Sequence, residues 1–171
     1  MKTIIEYVRR GLKAIYHTHL ITSSWVAQQI GPIVFCSGAK KESWNLSTQQ
    51  LLSFPNDTVG RALGEFLQKQ QVEPLSNAEF HDVQHVLFDF SISFVDEVAL
   101  QFFLRGNGIK TIASVTTTIG AWFILPFHWQ YLKSSYQKGQ QYNCVSVINT
   151  KSILQQNIHQ VKHRLVRGKD D

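Results

Sequence analysis

The chain has 171 residues, of which 43% are hydrophobic and 17% are charged, and it carries a net charge of +5. This length suffices for one domain with a hydrophobic core, and the two cysteines, Cys36 and Cys144, are too few for a zinc site built from cysteines. A basic, aromatic-rich chain with few charges suits the surface of an anionic membrane, whereas the lack of a glycine-rich basic tract makes nucleic acid the weaker alternative.

The first 50 residues are predicted to form an amphipathic N-terminal region that includes a basic helix. Its apolar residues recur at helical spacing and are Ile4, Ile5, Val8, Leu12 and Ile15. Glu6, Arg9 and Arg10 interrupt the apolar run, so the segment lacks the form of a signal peptide. A transit peptide is a weaker alternative, because its removal would leave little mature protein.

The next predicted helix follows the stretch Pro55-Asn56-Asp57-Thr58, which supplies turn residues and a helix N-cap. An apolar stripe that begins at Val59 extends this helix to about Gln70. Gly60 and Gly64 lie four residues apart on it. Two glycines weaken a helix, so we expect another backbone to pack closely against them in compensation; the alternative is that both are tolerated at the surface.

Two histidines and two carboxylates then fall within a short stretch, at His81, Asp82, His85 and Glu97. His81 and His85 are four residues apart, so on a helix they share a face and can bind one ion together. On a single straight helix Glu97 would lie about 18 Å beyond His85, which is too far for a shared ion. Glu97 can therefore join the histidines only if the chain reverses between them.

The sequence predicts such a reversal as a helical hairpin. A first helix runs from about Ala78 to Phe88, a break covers Asp89 to Ile92, and a second helix begins at Phe94. Ser93 and Asp96 have the spacing of a capping box, and Ser91 is a second candidate cap. Glu97 then lies in the first turns of the second helix and faces the imidazoles.

Beyond the hairpin, Gly106-Asn107-Gly108 has the residues of a helix C-cap. Thr111 to Thr118 is rich in β-branched residues and can be read as a strand, and the apolar run from Ile119 to Phe127 is too short to cross a bilayer. Pro126 ends or kinks any helix there. Propensity does not decide this segment. A final helical stripe comprises Leu154, Ile158, Val161 and Leu165. These patterns predict one mostly helical domain over residues 1–171, with the metal site on the hairpin.

The hairpin residues resemble the signature of the coenzyme Q biosynthesis protein four family. That signature is H-D-x-x-H, eleven residues and then Glu, as found here from His81 to Glu97. The stretch from Pro55 to Ala62 is similar to a helix start of the family, and Tyr136-Gln137-Lys138-Gly139 is similar to a late stretch. The resemblance covers roughly residues 55–165. The chain departs from the family pattern where glycines are usual, at Asp89 and Asp96, and it lacks an arginine of the late stretch.

The resemblance implies an all-helical fold with a divalent metal, usually zinc, bound by His81, Asp82, His85 and Glu97. It implies a role in ubiquinone biosynthesis, on a polyprenylated hydroxybenzoate-type precursor or another isoprenoid lipid, by oxidative decarboxylation at ring carbon 1. The alternative is a non-catalytic scaffold that holds the lipid for other quinone-biosynthesis proteins. The expected location is peripheral on the cytoplasmic side of the inner membrane, or on its matrix face if mitochondrial. A homodimer is a further expectation, and nucleic acid is not an expected partner.

The chemistry of the ligand set leaves several mechanisms open. Imidazoles and carboxylates are compatible with zinc, iron(II) or manganese. If only three side chains bind, the site has the two-histidine-one-carboxylate arrangement of oxygen-using iron enzymes. Zinc would instead ease loss of carbon dioxide as a Lewis acid, and Asp82 would then be the catalytic residue that moves a proton rather than a ligand.

Overall fold

The computed structural model describes residues 5–7, 9–18, 43–74, 79–143 and 151–168. Within these ranges the chain is helical and forms no β-strand. Its seven main helices are α1 (Thr48–Leu52), α2 (Val59–Gln70), α3 (Glu79–Phe88), α4 (Phe94–Gly106), α5 (Ile112–Ile124), α6 (Trp129–Gln140) and α7 (Ile158–Leu165). Residues 5–7 and 9–18 are also helical, and short 3-10 turns cover Pro126–His128 and Lys151–Gln155.

Side-chain caps explain where most of these helices begin. In each case an oxygen of the capping side chain accepts a hydrogen bond from a backbone N–H in the first turn, which would otherwise lack a partner. The capping residues are Ser47, Thr58, Ser93, Thr111 and Asn157. The predicted starts at Val59 and Phe94 are therefore confirmed.

The described helices pack around one hydrophobic core, and α4 lies at its centre. Every residue from Val98 to Leu104 is buried, and α4 packs against both α5 and α6. Helix α3 packs against α2 and α7. Neighbouring helices therefore hold both arms of the hairpin, and Phe90 in the connection between them is buried in the same core, whereas Asp89 and Ile92 are exposed. The prediction of an all-α fold is confirmed.

Close backbone packing at glycines brings several helices together. A Cβ atom on Gly64 would lie 2.8 Å from the backbone nitrogen of Leu52, and one on Gly60 would lie 3.0 Å from the carbonyl oxygen of Leu154 and 2.7 Å from the ring of Phe54. The expectation that this pair packs closely is therefore confirmed. A tighter contact joins α4 and α6, where a Cβ on Gly139 would lie 2.0 Å from the carbonyl oxygen of Phe103.

The ambiguous segment from Thr111 to Thr118 is helical rather than extended. Thr111 caps α5, and the hydroxyls of Thr116 and Thr118 donate to carbonyl oxygens four residues earlier. These hydrogen bonds accommodate β-branched side chains within a helix. The helix ends at Ile124, ahead of Pro126, as the sequence predicts.

The C-terminal stripe is only partly one helix. Leu154 lies in the Lys151–Gln155 3-10 turn, and α7 begins at Ile158.

Among the described residues, no helix combines the length and the hydropathy that a membrane span requires. Other positions named in the sequence predictions lie outside the described residues: Ile4, Val8, Cys36, Ala78 and Cys144.

Candidate metal centre

The turn between α3 and α4 reverses the chain between the histidines and Glu97. Helix α3 ends at Phe88, and Asp89 adopts a left-handed conformation with φ of 60°. The N–H of Phe90 then donates to the carbonyl oxygen of His85 at 3.0 Å, which closes the helix end. Because α4 begins at Phe94, the predicted helical hairpin is confirmed.

His81, His85 and Glu97 converge across this hairpin. Nε2 of His81 lies 3.1 Å from Nε2 of His85 and 3.1 Å from Oε2 of Glu97. Nε2 of His85 lies 3.2 Å from Oε1 of Glu97. A tetrahedral ion with bonds of about 2.0–2.1 Å separates its ligand atoms by roughly 3.3–3.4 Å. The three side chains therefore have both the chemistry and the spacing to hold a divalent metal ion.

Exposure decreases from one side of the cluster to the other. The side chain of Glu97 is 28% exposed and that of His81 is 20% exposed, whereas His85 is 1% exposed. The buried His85 imidazole is fixed on the side that faces away from the cluster, because its Nδ1–H donates to the carbonyl oxygen of Phe90 at 3.3 Å. This contact sets the tautomer whose Nε2 atom faces the cluster, a common arrangement for a metal-binding histidine. An ion would enter from the side of His81 and Glu97.

The charges of the cluster reinforce one another. Burial works to raise the pKa of Glu97, but hydrogen bonds from His81 and His85 outweigh it and lower that pKa to about 2. Burial works to lower the pKa of His85, but the hydrogen bond and the negative charge of Glu97 leave it above its ordinary value. Metal binding requires neutral imidazoles, so an ion must displace protons from this cluster.

Asp82 does not belong to the converging group. The cluster found among the described residues comprises His81, His85 and Glu97. Asp82 lies in the first turn of α3, three residues before His85, and its negative charge contributes to raising the pKa of that histidine. Its roles as a fourth ligand or as a proton carrier both stay predictions.

A second carboxylate, Asp96, organises the turn and has a function that sequence reasoning missed. The predicted capping box is only half correct. Ser93 accepts from the N–H of Asp96, but the Asp96 carboxylate bonds to Ser91 rather than to the backbone of Ser93. Its other oxygen accepts a hydrogen bond from the hydroxyl of Tyr131 at 2.6 Å. The two residues are 35 positions apart, so no local pattern signals this contact.

The pKa shifts of Asp96 and Tyr131 favour one direction for the hydrogen bond between them. Burial works to raise the pKa of Asp96, but hydrogen bonds from Ser91 and Tyr131 outweigh it and leave that pKa below its ordinary value. Burial and the neighbouring carboxylate raise the pKa of Tyr131. Asp96 is therefore the ionised acceptor and Tyr131 the protonated donor at neutral pH.

No sequence model of a known family matches this chain, and no curated protein matches it. Any assignment of function therefore depends on the geometry around His81, His85 and Glu97 and on the resemblance carried by the segment that contains them.

Proposed function

We propose that this chain is a metal-dependent protein of isoprenoid-quinone biosynthesis that acts on a polyprenylated hydroxybenzoate-type precursor. The observation that carries the proposal is the meeting of His81, His85 and Glu97 across the hairpin. The spacing of these residues in the sequence resembles the family signature, and their side chains lie at distances suited to one ion.

The donor set supports a catalytic ion rather than a purely structural one. Three protein ligands leave coordination positions for a substrate, whereas structural zinc sites are closed by four. A zinc ion bound by His81, His85 and Glu97 would supply Lewis acidity toward a carboxylate of the precursor. Zinc is the proposed metal, and iron(II) or manganese would suit the same ligands.

The protein side chains have distinct tasks in this proposal. His85 is fixed by Phe90, so its Nε2 atom has one orientation. Glu97 supplies the negative charge that holds the ion. Asp82 lies beside His85 on α3, and we propose that it delivers the proton that takes the place of the carboxylate at ring carbon 1 when carbon dioxide leaves. This step is a lyase reaction that balances without an oxidant, whereas the oxidative form that the resemblance implies would consume an oxidant as well.

An exposed apolar surface on α5 supports the lipid part of the proposal. Ile112, Ile119 and Trp122 on this helix and Phe127 just after it are between 62% and 79% exposed. Tyr16 contacts Phe127 and His128, so the N-terminal helical residues lie against the same region. We propose that this surface meets the isoprenoid lipid at the face of the inner membrane, where other quinone-biosynthesis proteins and a second copy of the chain are the proposed partners.

Metal analysis and turnover together test the proposal. Protein purified without chelator should carry about one equivalent of zinc, since the described residues contain one three-ligand cluster. The variant His81→Ala/His85→Ala should lose this metal while its helical circular dichroism remains. A matched control is His159→Ala/His163→Ala, which removes a pair of the same spacing from α7.

The metallated protein should then release carbon dioxide from a prenylated hydroxybenzoate, and the His81→Ala/His85→Ala variant should not. Unaltered metal content in that variant would overturn the metal site. Binding of the lipid without turnover would identify the chain as a scaffold instead of an enzyme. A protein that neither binds the precursor nor sediments with anionic vesicles would contradict the quinone assignment.

A further inference from the structure

Helix α6 contacts both ends of the turn that carries the metal ligands. At one end, the hydroxyl of Tyr131 donates to the carboxylate of Asp96 at 2.6 Å, next to Glu97. At the other end, Nζ of Lys138 donates to the carbonyl oxygen of Phe88 at 2.7 Å, at the last residue of α3. Tyr131 and Lys138 are seven residues apart, which is two helical turns and roughly 10 Å along one face of α6.

Each of these two contacts is linked to one of the proposed metal ligands, His85 or Glu97, through neighbouring residues of the turn. The ammonium of Lys138 lies 5.2 Å from the ring centroid of Phe90, whose carbonyl oxygen accepts from Nδ1 of His85. The Asp96 oxygen that does not face Tyr131 accepts from the N–H and the hydroxyl of Ser91. Both ends of the turn are therefore hydrogen-bonded to α6. The end near His85 is bonded through Lys138, and the end near Glu97 is bonded through Tyr131.

Helix α6 is a rigid reference for these ties. Its Gly139 packs directly on the backbone of Phe103 in α4, and Gly106 of α4 packs on the backbone of Tyr136, with no room for a Cβ atom at either glycine. Because α4 and α6 are in backbone contact, neither can shift far without the other. The tyrosine and the lysine therefore hold the turn against a fixed support.

We propose that Tyr131 and Lys138 are positioning residues of the metal centre, which keep His85 and Glu97 at the separation that one ion requires. This inference rests on the proposed metal function. The hydroxyl of Tyr131 is bonded to Asp96 and the ammonium of Lys138 to the carbonyl oxygen of Phe88, so both act through the turn. Tyr131 is 41% exposed, so removal of its hydroxyl exposes no core and should affect the metal more than the overall stability.

The test compares zinc affinity with global stability in Tyr131→Phe, Lys138→Met and the double variant. Each substitution keeps the apolar part of the side chain and removes only its polar end. Matched controls on the same helix are Ser134→Ala, whose hydroxyl bonds only within α6 to the carbonyl oxygen of Tyr131 in the structure, and the exposed Lys133→Met. Zinc dissociation constants come from chelator competition, and stability comes from thermal unfolding of the metal-free protein.

We expect each single variant to weaken zinc binding about tenfold, the loss typical of a group that supports a metal ligand, while the controls change it less than about twofold. Hydrogen exchange at residues 88–97 of the metal-free protein should accelerate in the same variants and not in the controls. Lys138→Arg, which restores a donor, should recover part of the affinity.

Three outcomes would contradict this picture, and they differ. Wild-type protein that binds no zinc overturns the proposed function and this inference with it. Zinc binding by the wild type with an unchanged dissociation constant in the double variant overturns the positioning role alone. The positioning role is also overturned if the zinc affinity of the variants falls only in proportion to their unfolding temperature while hydrogen exchange at residues 88–97 is unchanged.

Discussion

The Nε2 atom of buried His85 lies 3.2 Å from Oε1 of Glu97, and the two residues belong to different arms of one hairpin. Their pKa values move in opposite directions: that of Glu97 falls to about 2, and that of His85 rises above its ordinary value. At pH values above the lowered pKa of Glu97 and below the raised pKa of His85, protonated His85 and ionised Glu97 therefore form an ion pair in the metal-free protein. Protons and a metal ion compete for these atoms.

The pair predicts a stability maximum for the chelator-treated protein. The contribution of Glu97 is present above its ordinary pKa of 4.5 and is lost as the pH falls toward about 2. The contribution of His85 is present below its ordinary pKa of 6.5 and is lost as the pH rises through the raised value. The two contributions coincide between about pH 4.5 and about pH 6.5.

Thermal unfolding of the wild type and of Glu97→Gln from about pH 3 to about pH 9 checks this prediction. The difference in unfolding temperature between the two proteins should be greatest inside that window, because the variant lacks the ion pair at every pH. A difference that does not change with pH would contradict the coupling.

Glu97→Gln should also weaken zinc binding, because an uncharged amide is a poor substitute for a carboxylate ligand. We expect a loss greater than about 100-fold, since even residues that only support a ligand are worth 10–100-fold. The matched control is Glu65→Gln on α2, which removes a carboxylate that is paired with Arg61 at the surface. Isothermal titration measures the zinc affinity of the Glu97→Gln and Glu65→Gln variants. Equal affinities of the two variants would exclude Glu97 as a ligand.

The local part of the site could be predicted from the sequence. The four-residue spacing of His81 and His85 fixes one face of a helix, and Ser93 caps the next helix at the predicted position. On one straight helix Glu97 would lie too far from His85 to share an ion, so a shared site required the chain reversal that the structure contains. Each of these inferences uses residues that are near one another in the chain.

The supports of the site could not be predicted, because they depend on tertiary packing. Tyr131 and Asp96 are 35 residues apart, and Lys138 and Phe88 are 50 residues apart. Neither pair has a spacing that signals a contact. The helical conformation from Ile112 to Thr118 is a similar case, since the β propensity of these residues is overridden by the Thr111 cap and by hydroxyl bonds to the backbone.

Gly139→Ala should destabilise the protein strongly. The added Cβ would lie 2.0 Å from the carbonyl oxygen of Phe103, so α4 and α6 would have to separate. We expect a loss of at least about 2–3 kcal/mol in the free energy of unfolding, as for other overpacked interiors. Urea unfolding of Gly139→Ala and Gly120→Ala checks this.

Gly120 is a suitable control because it is also helical, but among the described residues the nearest atom to its added Cβ is a side-chain atom of Ile124 at 3.9 Å. Alanine has the higher helix propensity, so Gly120→Ala should be neutral or stabilising by up to about 1 kcal/mol. Similar losses in the two variants would show that close backbone packing is not the cause.

Replacement of Asp89 by glycine should cost less stability than replacement by alanine. Its φ of 60° is in the left-handed region, which glycine adopts freely and alanine adopts at a cost of about 1–2 kcal/mol. Its ion pair with Lys162 is largely exposed and contributes at most about 1 kcal/mol. Asp89→Gly should therefore be near neutral, and Asp89→Ala should be less stable than Asp89→Gly by about 1 kcal/mol. Asp89→Asn isolates the ion pair, and equal stability of the glycine and alanine variants would contradict the backbone explanation.

Asp82→Asn distinguishes a ligand from a proton carrier. His81, His85 and Glu97 converge as a group without Asp82. We therefore expect Asp82→Asn to retain stoichiometric zinc and to lose turnover of the prenylated precursor, because an amide cannot move a proton at neutral pH. Metal analysis and carbon dioxide release on the same preparation measure both properties, with Asp57→Asn, at an exposed turn, as the control. Loss of zinc from Asp82→Asn would instead establish a fourth ligand, since the ion would then depend on this carboxylate as well as on the two imidazoles and the Glu97 carboxylate that already meet.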